Sequence, residues 1–414
     1  MTDSVVIVGA SLAGTRCAAA LRRGGMSGRI TMINAEAHLP YDRPPLSKQY
    51  LAGEWDADRL GLLKPEQHEE YEFDWRMATR AVALDVDARR VELDDGSTVD
   101  AEHIVIATGA APRRLPGTEG VAGVHVLRSL DDAAALRADL AGFDSANVVV
   151  VGAGFIGAEV AATAATAGHR VTIVEAAEVP MERGLGAEMG AFCGSLHGDH
   201  GVDLRLATMV ADVHAEADRV RAVELGDGTR LEVDVLVVGI GVIPATGWLD
   251  DSGLTLDDGV VCDALCQAAP GVHAAGDIAR WTNERFGSVM RVEHWDNAVE
   301  QGIYVAKRIL GEADEPFTPV PWFWSDQYDH KIQLAGRPNP TDQVELITGS
   351  MEDRRFAAIY GDGERLTGVF GLNRPRHVMQ YRRQLSEGAS WADALEFAAT
   401  ARAKEQAAAN QPAT

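Results

Sequence analysis

Positive charge is in short supply. The chain of 414 residues has 38 lysines and arginines against 62 aspartates and glutamates, a formal net charge of −24. That balance excludes general binding to nucleic acid or to anionic membranes, but not a small local basic patch for one partner protein. Cysteine is also scarce: Cys17, Cys193, Cys262 and Cys266, with no CxxC pair. Cys262 and Cys266 have no further ligand pattern near them, so no zinc or iron–sulfur site is expected. All four read as reduced thiols of a cytoplasmic protein. The sequence MTDSVVIVGA shows no basic segment followed by an apolar one, so no secretory signal is expected there. The only stretch resembling a membrane span is 146–168, whose single charge is Glu159. Four consecutive valines followed by glycines divide it into strand, turn and helix instead. Aromatic residues make up 6% of the chain, yet PVPWFWSDQYD at 319–329 gathers Trp322, Phe323, Trp324 and Tyr328. The run is too polar for a simple core strand and too aromatic for a simple surface loop. It implies something flat to cover.

What is present is ordinary soluble composition, 46% hydrophobic and 24% charged, enough for two to three domains at roughly 100–200 residues each. Two segments carry chemistry. In SVVIVGASLAG, Val5 to Val8 suit a buried parallel strand. Gly9, Ser11, Leu12, Ala13 and Gly14 then form a turn into a helix. The dinucleotide fingerprint places glycine at the turn, at the approach of the pyrophosphate, and at the packing of helix on strand. Ser11 takes the second of these positions. It fits if its side chain points away, or if it donates to a phosphate. RITMIN follows, and Glu36 just after it suits ribose hydroxyls. In NVVVVGAGFIGAEV the fingerprint is complete: Gly152, Gly154, Phe155, Ile156 and Gly157, with RVTIV and Glu175 after it. Glu175 suits the ribose diol of NAD and repels a 2′-phosphate, and no arginine follows it immediately, the nearest being Arg183. NADH is therefore favoured over NADPH.

Two such units in one chain imply two dinucleotides. VDAEHIVIATGA (99–110), LEVDVLVVGIGVIP (231–244) and VHAAGDIAR (272–280), each read as one strand closed by glycine, accompany them. This order of segments resembles the two-dinucleotide flavoprotein reductases of the glutathione reductase class. The resemblance implies an α/β fold with two Rossmann-like dinucleotide-binding domains. The FAD domain would be discontinuous, 1–115 and 245–320, with the NAD domain, 116–244, inserted into it. A small α+β C-terminal domain would span 321–405, and 406–414 would be a flexible tail, the polar, alanine-rich 401–414 segment fraying. In that class Asp277 would bind the flavin ribityl chain. LPYDRPPLSKQYL (39–51) has no cysteine where disulfide reductases carry a redox pair, which removes a dithiol mechanism. Its two prolines read as extended chain ahead of a helix.

YDRPPLSK, GAGFIGAEVAA, VLRSLDDA, VVGIGVIP, AAGDIAR, RVEHWDNAVEQG and PWFWSDQYD lie between residues 41 and 329, within a family resemblance that runs from residue 4 to about 337. The sequence is similar to the FAD-dependent, NADH-linked ferredoxin reductases of the putidaredoxin reductase and biphenyl dioxygenase reductase type. The resemblance implies that Arg43, Lys48, Ala81, Thr108, Gly109, Arg128, Trp295 and Trp324 join Gly9 to Gly14, Glu36 and Asp277 around FAD. Gly241 would join the NAD set. The flat object is then the flavin ring, with interface packing the alternative for Trp322 and Trp324. Lys48 and Glu159 would lie together at the nicotinamide, Glu159 on the first turn of its helix, where the dipole favours a carboxylate. The alternative there is a structural ion pair. The implied acceptor is a [2Fe–2S] ferredoxin serving a cytochrome P-450 monooxygenase or a Rieske dioxygenase. Lys307, Arg308, Arg374, Arg376, Arg382 and Arg383 are candidates for its docking. Rubredoxin reduction, or an NADH-sensing role resembling apoptosis-inducing factor, is the rival reading.

Overall fold

The computed structural model describes residues 2–409, with side chains described through residue 402. The chain divides into two units: 1–44, 56–111 and 242–319 form the first, and 45–55, 112–241 and 320–414 the second.

The first unit is built on a six-stranded sheet. Its strand order is Gln267–Ala269, Val272–Ala274, His103–Ile106, Ser4–Val8, Arg29–Ile33 and Asp74–Arg76. All neighbours are parallel except the first pair. Parallel strands covered on both faces need apolar residues at every position. Val5, Val6, Ile7 and Val8 are each at most 2% exposed, as are Ile104, Val105 and Ile106. The helices Leu12–Arg23 and Trp295–Leu310 pack on each other closely enough that a Cβ at Gly302 would stand 2.4 Å from the Ala13 carbonyl oxygen.

Besides a three-stranded antiparallel sheet of Val210–Glu216, Arg219–Leu225 and Arg230–Glu232, the second unit holds two five-stranded sheets. One is parallel, in the order Asp203–Arg205, Arg170–Val174, Asn147–Val151, Val235–Val238 and Val124–His125. Beside it run the helices Leu130–Ala141 and Phe155–Thr166. The other is antiparallel, in the order Trp322–Gln327, His330–Gly336, Leu366–Leu372, Arg355–Gly361 and Gln343–Ser350. It is followed by the helices Pro375–Glu387 and Trp391–Ala409. Among the described residues, no helix is long and apolar enough to cross a membrane.

The structure corrects several local readings. The two prolines do not precede a helix; Pro44 and Pro45 open the 3-10 helix Pro44–Ser47, because a fixed φ suits the first helical positions. LEVDVLVV is two strands in different sheets. Arg230–Glu232 pairs antiparallel with Arg219–Leu225, and Val235–Val238 runs parallel to Asn147–Val151. Asp234 marks the switch, its carboxylate accepting from the Asn147 amide at 2.8 Å. The last helix continues to Ala409, so 401–409 is helical; 410–414, the rest of the expected tail, lies outside the described residues.

Candidate functional site

Each fingerprint is a strand end, a tight turn and a helix start. In the first unit Gly9 has φ +102°, and a Cβ there would lie 2.2 Å from the Ala107 carbonyl oxygen. A Cβ at Gly14 would strike the Gly9 carbonyl oxygen at 2.0 Å. The second unit repeats this: Gly152 against Gly239 at 2.4 Å, and Gly157 against Gly152 at 2.1 Å. Gly154 differs, since nothing lies within 4 Å of where its Cβ would be. Two glycines are therefore demanded by the protein itself, and one leaves room for something else to approach. Neither helix start is capped by a side chain, so the first-turn amides and the positive dipole end are left for an anion. Both cradles fit a dinucleotide pyrophosphate.

The acids stand beside these turns. Glu175 accepts from the Ala153 amide at 2.7 Å and the Ala177 amide at 2.9 Å, which fixes its carboxylate at the second glycine turn. In the first unit Glu36 pairs with Arg43 at 2.8 Å and accepts from the Tyr41 hydroxyl at 2.5 Å. Arg43 Nε also donates to Ser11 Oγ at 3.2 Å. So Ser11, Glu36 and Arg43 are one polar group, with Tyr41 as a member that sequence reading missed. Thr108 Oγ1 donates to the Ala245 carbonyl, and Gly109 has φ +66°. Next to Asp277, the Gly276 amide donates to buried Gln301 at 2.8 Å, which holds the GD turn. Trp295 donates to Asp42 at 2.7 Å. Ala81 begins the strand Ala81–Asp85 of this unit.

Lys48, Arg128 and Trp324 belong to the second unit. Arg128 lies just before the helix Leu130–Ala141, its amide donating to Asp132. Arg183 is exposed on the helix Glu182–Asp199, and Gly241, φ +93°, is exposed after Val235–Val238. Ile156, on the first turn of Phe155–Thr166, is half exposed.

Lys48 and Glu159 meet. Lys48 Nζ lies 2.7 Å from Glu159 Oε2, with the side chains 11% and 4% exposed. Glu159 is the fifth residue of its helix, which starts at Phe155 after Gly154, so it stands on the second turn and not the first as expected. Hydrogen bonds fix its carboxylate in place. Ser47 Oγ donates to Oε2 at 2.5 Å and Ser325 Oγ to Oε1 at 2.8 Å. Leaving either partner of such a buried pair alone costs about 3–5 kcal/mol. Sequence reading missed both serines; the only trace was a small polar residue beside each motif's named residue, in PLSK and WSD.

PWFWSDQ is a half-buried edge strand, which resolves its mixed composition. Side chains alternate along it. Phe323, Ser325 and Gln327 share one face: Phe323 packs on Phe155 at 4.4 Å between ring centroids, and Ser325 and Gln327 are fully buried. Trp322 and Trp324 share the other, stacked at 5.3 Å, with the Arg382 guanidinium 5.8 Å from the Trp322 ring. Arg382 also donates to the Val320 carbonyl, Arg383 pairs with Glu387, and Arg376 and Arg383 are exposed. Arg374 is half-buried. In the first unit Arg308 donates to the Ala313 carbonyl, and Lys307 is exposed in the same last turn of its helix.

None of the four cysteines is in a disulfide, and all are buried. Burial pushes the thiols of Cys17, Cys193 and Cys266 up to about 12, so they are not nucleophiles at neutral pH.

Comparison with known proteins matches two successive regions of the chain. Residues 3–302 match the pyridine nucleotide-disulphide oxidoreductase model, and 322–404 match the reductase C-terminal model. The chain is 37% identical to rhodocoxin reductase of Rhodococcus erythropolis, over 92% of this chain and 89% of that one. It is 36% identical to the ferredoxin–NAD(+) reductase component of the anthranilate 1,2-dioxygenase system of Burkholderia cepacia, over 94% and 95%. The reductase in the covalent putidaredoxin reductase–putidaredoxin complex superimposes with a TM-score of 0.89 at 35% identity, over 93% of each chain.

Proposed function

Because the chain belongs to the pyridine nucleotide-disulphide oxidoreductase family and carries a reductase C-terminal domain, we propose that it is an NADH-dependent, FAD-containing ferredoxin reductase. Its acceptor would be a [2Fe–2S] ferredoxin serving a cytochrome P-450 monooxygenase or a Rieske dioxygenase, and its compartment the cytoplasm. The observation that carries this reading is the pair of glycine cradles, each with an acid beside an uncapped helix start, in a chain whose cysteines are buried and unpaired.

FAD, when bound, accepts a hydride from NADH and releases the electrons one at a time. Everything else falls to the residues. Gly9 to Gly14, Glu36, Arg43, Thr108, Gly109, Asp277 and Trp295 hold FAD in the discontinuous domain 1–115 and 245–320. Ala81, Lys48, Arg128 and Trp324 keep the FAD roles that family resemblance gives them. Gly152 to Gly157 seat the NADH pyrophosphate in the inserted domain 116–244. Glu175 takes the ribose diol, with Arg183 and Gly241 at the margin of that site. Hydride transfer depends on closeness and orientation more than on proton movement. Lys48 and Glu159 therefore act as an oriented charge pair at the nicotinamide, not as an acid and a base. Lys307, Arg376 and Arg383, exposed on a chain of net charge −24, are the candidate docking cations open to an acidic ferredoxin, Arg383 being shared with Glu387.

The test is anaerobic addition of NADH with the visible spectrum recorded, followed by a [2Fe–2S] ferredoxin and cytochrome c. The expected result is a bleached flavin and cytochrome c reduction that requires the ferredoxin. Bleaching without a ferredoxin-dependent rate would move the acceptor to rubredoxin or the role to NADH sensing. Failure to take up flavin would end the reading.

A further inference from the structure

The strand Trp322–Gln327 lies along the helix Phe155–Thr166 in the second unit, and the two are in register. Phe155 and Glu159 are one helical turn apart, about 6 Å. Phe323 and Ser325 are two strand residues apart, about 6.7 Å. Phe323 accordingly meets Phe155, and Ser325 meets Glu159. The fit continues behind Ser325, where Gln327 Nε2 donates to Ser325 Oγ at 3.2 Å while that hydroxyl donates to Glu159 Oε1. Behind the other carboxylate oxygen, Thr163 Oγ1 donates to the Ser47 carbonyl at 2.8 Å, fixing the segment that carries Ser47 and Lys48.

Glu159 is thus held from both ends. Oε2 takes Ser47 and Lys48, and Oε1 takes Ser325. Ser47, Glu159, Ser325 and Gln327 are each at most 3% exposed, so no water substitutes easily for a lost donor. A lysine–glutamate contact alone leaves the carboxylate free to rotate about its last torsion. The third donor, arriving on the opposite oxygen, removes that freedom. Donor chains of this kind also strengthen one another in a low-dielectric interior.

We propose that Ser325, backed by Gln327, is a positioning residue for hydride transfer: it fixes the Glu159 carboxylate and, through it, Lys48. The C-terminal strand then serves the NADH half-reaction as well as whatever its tryptophans cover. This rests on the NADH–flavin reading above.

The test is anaerobic stopped-flow reduction of the flavin by NADH in S325A, S325T and E159Q and in the double variant E159Q/S325A, with thermal midpoints measured in parallel. S325A is expected to reduce its flavin about tenfold more slowly, as small misplacements of reacting groups do, with the NADH Kd changed less than threefold. S325T, which keeps the hydroxyl, is expected to recover most of the rate. E159Q/S325A is expected to be no slower than E159Q, because Ser325 acts through that carboxylate. If S325A does not hold flavin, Q327A replaces it, with a smaller slowing expected. A wild-type rate in the variant that folds, or losses that multiply in the double variant, would overturn the proposal. Wild-type protein that NADH fails to bleach would instead overturn the underlying reading.

Discussion

Glu175 and Glu36 occupy matching places, one residue or a few beyond the second strand of each fingerprint, but the structure treats them differently. Glu36 is neutralised by Arg43 and held by Tyr41. Glu175 has the Ala153 and Ala177 backbone amides for partners, at the second glycine turn. In the proposed coenzyme site a carboxylate there would discriminate against a 2′-phosphate. Replacing Glu175 by alanine is expected to raise the KM for NADH about tenfold and to improve NADPH relative to NADH by a similar factor. Steady-state ferricyanide reduction with each coenzyme measures both, and unchanged discrimination would remove Glu175 from the coenzyme site.

At the scale of a turn, two glycines of one fingerprint do different work. A methyl group at Gly157 would sit 2.1 Å from the Gly152 carbonyl oxygen, whereas one at Gly154 meets no protein atom within 4 Å. The G157A variant is therefore expected to lose stability or fail to fold, since backbone must move to admit it. The G154A variant is expected to keep a wild-type thermal midpoint and flavin spectrum but to bind NADH at least tenfold more weakly. Measured midpoints and NADH titrations separate the two; equal stability in both variants would contradict the packing described. The strand Trp322–Gln327 follows the same logic, with Phe323, Ser325 and Gln327 on one face and the two tryptophans on the other.

For the molecule as a whole, buried histidines set the response to acid. Burial depresses His197 to about 4, with His200 nearby adding to the effect. Burial depresses His273 to about 3, helped by His103 and Arg308. An unfolded histidine titrates near 6.5. Between about pH 6.5 and these folded values the unfolded chain binds more protons than the native one, so stability rises with pH in that window and is lost as pH falls through it. The loss is on the order of a few kcal/mol. One of the two lies in each unit, so both should weaken. Urea midpoints from pH 7.5 to 4.5 are expected to fall steadily below pH 6.5; a flat profile would mean that the rings accept protons without disrupting their surroundings. No acid stabilisation from the cysteines is expected, because they remain thiols throughout this range.

How much of this was legible in the sequence follows from how local each cause is. The strand–turn–helix units, the glycines at Gly9, Gly14, Gly152 and Gly157, the acids at Glu36 and Glu175, and the lack of a redox cysteine pair are written in short contiguous stretches, although only Gly14 and Gly157 are demanded from within their own turn; Gly9 and Gly152 are demanded by Ala107 and Gly239, just past strands far along the chain. The identity of Lys48 and Glu159 as partners was available through family resemblance, not from their separation in the chain. The second-turn position of Glu159 depended on the exact helix start, and the division of LEVDVLVV between two sheets on which strands its halves met. Only the tertiary structure decided which donors complete the carboxylate. Ser47, Ser325 and Gln327 are small or neutral residues with no pattern of their own. Their role comes from a strand and a helix whose repeats match over one turn, a coincidence that exists only when the two are laid side by side.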